Sequence, residues 1–146
     1  MANPAHVAFV QQGAAAMTAW REGHPEARLD LEKAALQGLN LRGVTLQGAQ
    51  LHEANLAGAN LQYACLREAQ LVAANLQQAC LQQARLVKAN LDQASLQGAQ
   101  LQKAHLHGAY LPAAHLQQAH LQDAYLLWAS LVGARLDGAS LERADL

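Results

Sequence analysis

Ala54-Asn55-Leu56-Ala57-Gly58-Ala59-Asn60-Leu61-Gln62-Tyr63 holds two copies of a five-residue unit, Ala-x-Leu-x-x. Working outward from it, leucine recurs at every fifth position from Leu31 to Leu146 without exception. Alanine stands two residues before nearly all of these leucines. The departures, Leu29, Leu39 and Val44, lie near the start. A fixed short period marks a repeat architecture, in which each unit buries its apolar face only by stacking on its neighbours. Such a chain leaves little room for a buried active site.

A period of five excludes the two ordinary elements. An α-helix advances about 100° per residue, so successive leucines would spiral round it and form no stripe. A straight strand alternates its faces, so an odd spacing would send successive leucines to opposite sides. A chain that turns a corner of about 90° in every unit escapes both problems. Four units then close a coil of about twenty residues, and each coil stacks on the last at about 4.8 Å. Ala and Leu point inward, the other three positions outward, and small Ala alternating with large Leu fills a narrow interior. Leu51, Leu71, Leu91, Leu111 and Leu131 are expected to form one column of that core.

This unit resembles the pentapeptide-repeat family, whose consensus is Ala-(Asp/Asn)-Leu-x-x. Ala54-Asn55-Leu56, Ala59-Asn60-Leu61, Ala74-Asn75-Leu76 and Ala89-Asn90-Leu91 carry the resemblance, which extends over residues 29–146. It implies a bacterial, cyanobacterial-like protein and an all-β solenoid, a right-handed quadrilateral β-helix, here of about six coils. The position before Leu departs from the consensus at Gln50, Cys65, Arg85, His105 and Tyr110. That position is expected to face outward or to sit at a corner, so the fold survives the departure.

Residues 1–28 lack the repeat. Asn3 followed by Pro4 reads as an N-cap with proline in the first helical turn. Val7, Val10, Ala14 and Met17 follow helical spacing, with Phe9 and Trp20 beside them. Gly23 and Pro25 then give a stop. One capping helix is therefore expected from about Pro4 to Glu22. Phe9, Val10, Met17 and Trp20 would cover the first coil, whose bare edge would otherwise expose unpaired N–H and C=O groups. The string Trp20-Arg21, Pro25 and Asp30-Leu31 is similar to the opening segment of many bacterial family members. At the other end no cover is visible. Two chains stacked end to end as a homodimer, a fragment, or a polar last coil carrying Glu142, Arg143 and Asp145 would each account for it.

Formal net charge is −1 and charged residues are 14% of the chain, so no global field favours nucleic acid or an anionic membrane. Met1 to Trp20 has neither a basic n-region nor an apolar run long enough for a signal or a span, which points to the cytoplasm. Cys65 and Cys80 fall on adjacent faces of neighbouring coils and read as free thiols of a reducing compartment.

The outward positions separate into ladders twenty residues apart. Gln62, Gln82, Gln102 and Gln122 form one, and Gln77, Gln97 and Gln117 another; stacked amides can hydrogen-bond along the axis. Val87, Tyr125, Leu127 and Trp128 fall on one side, with Val72, Tyr110 and Val132 on the next. An outward apolar cluster with Trp and Tyr is a candidate interface, unless a loop or the corner geometry buries part of it. His105, His107, His115 and His120 concentrate late in the chain. The first two flank one core leucine but lack the third ligand a metal site wants. No phosphate loop, nucleophile elbow or zincin helix is present, and the carboxylates Glu53, Glu68, Asp92 and Asp123 are scattered on solvated positions. No cofactor, metal or catalysis is expected. Glycines such as Gly38, Gly48, Gly58, Gly98 and Gly108 follow Leu by two, a corner position.

These readings favour a cytosolic, non-catalytic interaction module with an unidentified protein partner, since solenoids present long rigid surfaces. A self-associating structural protein is the alternative. The resemblance also implies a third reading, because some family members mimic B-form DNA and bind type II topoisomerases. The near-neutral charge, with Arg42, Arg67, Arg85, Lys88 and Lys103 interrupting any acidic stripe, disfavours it.

Overall fold

The N–H of every repeat leucine from Leu31 to Leu126 donates to the carbonyl nineteen residues further on, as from Leu91 to Tyr110 at 2.6 Å. From Gln50 onward the residue before each leucine donates in the other direction, as from Asn90 to Ala69 at 2.9 Å. Together these bonds pair residue i with residue i+20 in parallel β-bridges, from Asp30 with Gln50 to Tyr125 with Asp145. Twenty residues are four units, so the chain is a four-sided stack of coils. The computed structural model describes all 146 residues.

The corners follow from a turn within each unit. The alanine N–H returns to the carbonyl of the leucine three residues earlier, as from Ala94 to Leu91 at 3.0 Å. The second residue after leucine has positive φ at every corner from Lys33 to Arg143. This is the αL conformation demanded at the third residue of a type II turn. Glycine occupies some of these positions, but Tyr63, Lys88, Gln93 and Trp128 adopt the same conformation with φ of 60°, 56°, 56° and 61°.

The second residue after leucine also donates along the stack, as from Gln93 to Pro112 at 3.0 Å, which leaves one N–H in each mid-stack unit outside the scheme, that of the residue just after leucine. Where Asn or Asp precedes a leucine between Leu31 and Leu91, its side-chain oxygen takes that N–H. Asn55 accepts from Ala57 at 3.2 Å, Asn75 from Gln77 at 3.1 Å, and Asn90 from Asp92 at 3.1 Å. The same bond recurs at Asp30, Asn40 and Asn60. The position before leucine therefore lies mid-face, in the bridge, so of the two placements expected for it, outward or at a corner, the corner is ruled out.

The interior holds no polar side chain. Leu51, Leu71, Leu91 and Leu111 are buried, whereas Leu131 is only partly so. Leu131 lies in the last coil, where its outer side has no further coil packed on it. The N–H groups of Leu131, Leu136 and Leu141 likewise have no backbone partner. Arg143 spans back one coil to Asp123 with two bonds, 2.6 and 2.8 Å. Those bonds hold the Asp123 carboxyl below the usual carboxylate range.

The N-terminal segment forms two helices, not one: α1, Pro4–Gln11, and α2, Ala14–Gly23. The break is at Gly13, whose φ of 86° no helix accommodates. Asn3 caps α1 by accepting from Ala5 at 3.0 Å. Val10, Met17 and Trp20 are buried in the same core as the leucines, and Phe9 is partly buried against it. Asn3 donates to the carbonyl of Asp30 at 3.1 Å, and Asp30 donates to His6 Nδ1 at 2.9 Å. These bonds dock α1 on the first coil.

Candidate protein-docking surface

The outward apolar residues divide by their place in the unit. Tyr125 is a mid-face residue before Leu126, and its N–H is tied to Ala104 at 2.9 Å. Leu127 and Trp128 form the corner that follows. The αL conformation of Trp128 throws its indole outward, leaving it 86% exposed. Tyr125 and Leu127 are 40% and 39% exposed. Around the next corner Val132 is 76% exposed, and Tyr110 is half exposed on the face before it. Val87 differs: it shares a column with His107 and Leu127 but is half-buried, because it sits mid-stack with coils on both sides.

Two histidines hold the tyrosine in place. The Tyr125 ring stacks on His105 at 4.8 Å between centroids and on His107 at 5.7 Å. Desolvation, then the neighbouring His107 and Arg85, push the His105 pKa down, so the neutral imidazole is the favoured form. His115 Nδ1 lies 3.4 Å from the Gln97 amide, and His120 is exposed on another face. No group of three His, Cys, Asp or Glu side chains converges as metal ligands would. Cys65 and Cys80 are separate free thiols.

The glutamine ladders form in part. Gln62 donates to Gln82 at 3.2 Å and Gln77 to Gln97 at 3.3 Å, while the Oε1 atoms of Gln102, Gln117 and Gln122 have no partner. Arg42 extends the first ladder by bonding Gln62 and lies over the Tyr63 ring at 4.5 Å. The carboxylates Glu53, Glu68 and Asp92 remain dispersed around the corners.

Sequence reasoning missed a cleft on the opposite end of the stack. It has a volume of about 440 Å³ and lies between the segment after α2 and the first coils, with Arg21, Glu26, Arg28, Thr45, Gln47 and Glu68 in its wall. The Trp20-Arg21 string was its only trace in the sequence.

The family profile for pentapeptide repeats matches residues 34–71, 69–108 and 109–146. The chain belongs to the pentapeptide-repeat family. The solved pentapeptide repeat protein Rfr23 from the cyanobacterium Cyanothece 51142 is similar at 34% identity and a TM-score of 0.61, over 62% of this chain and 63% of that one. The pentapeptide repeat protein alr5209 from Nostoc PCC 7120 is 34% identical with a TM-score of 0.56, over 63% of this chain and 84% of that one. A pentapeptide repeat protein of the Arabidopsis thaliana thylakoid lumen is 25% identical with a TM-score of 0.56, over 76% and 70%. This chain thus spans less than two thirds of the Cyanothece protein. It has no match among curated proteins. With these relatives the four-sided stack is assigned as the family's right-handed quadrilateral β-helix. No helix is long and apolar enough to cross a membrane.

Proposed function

We propose that this pentapeptide-repeat protein is a non-catalytic, cytoplasmic interaction module that binds a protein partner through Tyr110, Tyr125, Leu127, Trp128 and Val132, with Val87 as a half-buried support. On this reading a β-helix of about six coils over residues 29–146 is the rigid scaffold, and residues 1–28 cap its first coil. The observation that carries the proposal is Trp128, an indole left 86% exposed at a corner that its own backbone conformation aims outward. Large apolar side chains clustered in the open are uncommon on a monomer. Trp and Tyr on a pre-ordered surface lose little entropy on binding and are frequent interface anchors.

The test is affinity capture from lysate with the parent chain and the double variant Trp128→Ala with Leu127→Ser. A protein retained by the parent and lost by the variant, at unchanged circular dichroism, supports the reading. Equal retention by both would sink it. A second copy of the chain is the alternative occupant of the same surface. Light scattering of the two proteins over a concentration series separates that case, because only self-association gives the parent a larger mass than the variant. A DNA mimic that engages a topoisomerase is the weakest reading. It needs a dense negative surface, whereas the net charge here is −1.

A further inference from the structure

Arg21 closes the last turn of α2, and its guanidinium is divided in two. Nη1 donates to the carbonyls of Ala27, at 2.5 Å, and Pro25, at 3.5 Å. The Arg21 Cζ also lies 5.3 Å from the centroid of the Trp20 ring. These contacts fix its orientation. The other edge, Nε and Nη2, is buried and has no hydrogen-bond partner at all. Buried donors of a charged group are rarely left unmet, because the loss of water is uncompensated. That edge is the two-pronged fork which matches the two oxygens of a carboxylate.

The surroundings are those of a recess. The cleft of about 440 Å³ beside Arg21 falls within the usual range for small-molecule sites. Arg28 reaches across Gly48, its Cγ and Nε 3.8 Å from where a Cβ would stand, which is ordinary contact distance. Pro25, Glu26 and Arg28 belong to no helix and are exposed, so this wall has room to give. The wall carries two arginines, Arg21 and Arg28, and two carboxylates, Glu26 and Glu68. No salt bridge joins any of these four groups. A balanced lining repels a polyanion as much as it attracts one, and suits a ligand that carries both signs.

We propose that this cleft binds a small zwitterion of the chemistry of an α-amino acid. Its carboxylate would meet the free edge of Arg21, its ammonium Glu26 and Glu68, and its remaining polar groups Thr45 and Gln47. This site is independent of the apolar surface around Trp128.

The full chain labelled with nitrogen-15 reports directly through the Arg21 Nε–H and Trp20 indole resonances. The probes are the common L-amino acids taken one at a time, sodium acetate as a carboxylate without an ammonium, and inorganic phosphate. At least one amino acid is expected to shift both resonances saturably, with acetate and phosphate weaker by about tenfold or more. Arg21→Gln should abolish the shift of the Trp20 indole resonance, which that variant keeps. Gln47→Phe alters an exposed corner residue and leaves the Arg21 bonds to Pro25 and Ala27 in place, so weakening by about tenfold there locates the ligand in the cleft. No saturable shift with any amino acid, acetate or phosphate binding as tightly, or a response indifferent to Gln47→Phe would each overturn the proposal.

Discussion

The second residue after each leucine takes the αL conformation whatever its side chain, which costs a residue with a Cβ about 1 kcal/mol or more relative to glycine. Gly58 has φ of 65° and open space where a Cβ would go. Gly58→Ala therefore tests backbone strain alone, and urea unfolding should show a loss of about 1 kcal/mol. The residue before leucine acts on a different group, the N–H that the coil ladder leaves unpaired. Replacing Asn75 by Ala removes the acceptor for Gln77 and should cost about 1 kcal/mol. Ser95, one coil further along the same face, makes no such bond. Ser95→Asn should supply it and raise the unfolding midpoint, by about 0.5 kcal/mol in stability. The inward alanines and leucines were legible in the sequence because a period of five admits only one way to bury them. The task of the consensus asparagine was not legible, since it depends on which N–H the finished coil leaves over.

At the scale of elements, periodicity misled at the N-terminus. Val7, Val10, Ala14 and Met17 keep helical spacing straight through residue 13, so the pattern reads as one helix. Two helices bent at Gly13 can still bury Val10 and Met17 in the same core, and an apolar pattern does not record the bend. His105 and Tyr125 share a column and His107 stands in the next, but the stacking of the three rings was not visible before the coils were closed. That stacking has a pH consequence. The fold lowers the His105 pKa by desolvation and by the nearby His107 and Arg85. Below the ordinary histidine value of about 6.5, the unfolded chain then binds more protons than the folded one, and stability falls as pH drops. The loss levels off once pH passes below the lowered folded value. Urea unfolding at about pH 8 and about pH 5.5 should show this loss in the parent, and a smaller one in His105→Asn. An equal loss in both would assign the effect to other groups.

Over the whole molecule, stability in a stack of coils resides in nearest-neighbour contacts, so the worth of a leucine depends on how many coils cover it. The sequence placed Leu91 and Leu131 in one column with equal standing, because the repeat is the same at both. The structure separates them: Leu91 has a coil on either side and is fully buried, whereas Leu131 is covered on one side only. Leu91→Ala leaves a cavity that rigid neighbours cannot fill and should cost about 2–5 kcal/mol. Leu131→Ala should cost clearly less, because water and a yielding outer coil occupy the space. Hydrogen exchange provides a second reading of the same gradient. The N–H of Leu91 is bonded to Tyr110 at 2.6 Å, while those of Leu131, Leu136 and Leu141 have no partner. The latter amides should exchange at rates close to those of an open chain, and the Leu91 amide only through opening of the stack. Equal costs for the two leucine variants, or comparable protection along the whole column, would mean that the last coil is covered in solution, and a second copy or a bound partner would then be sought on it.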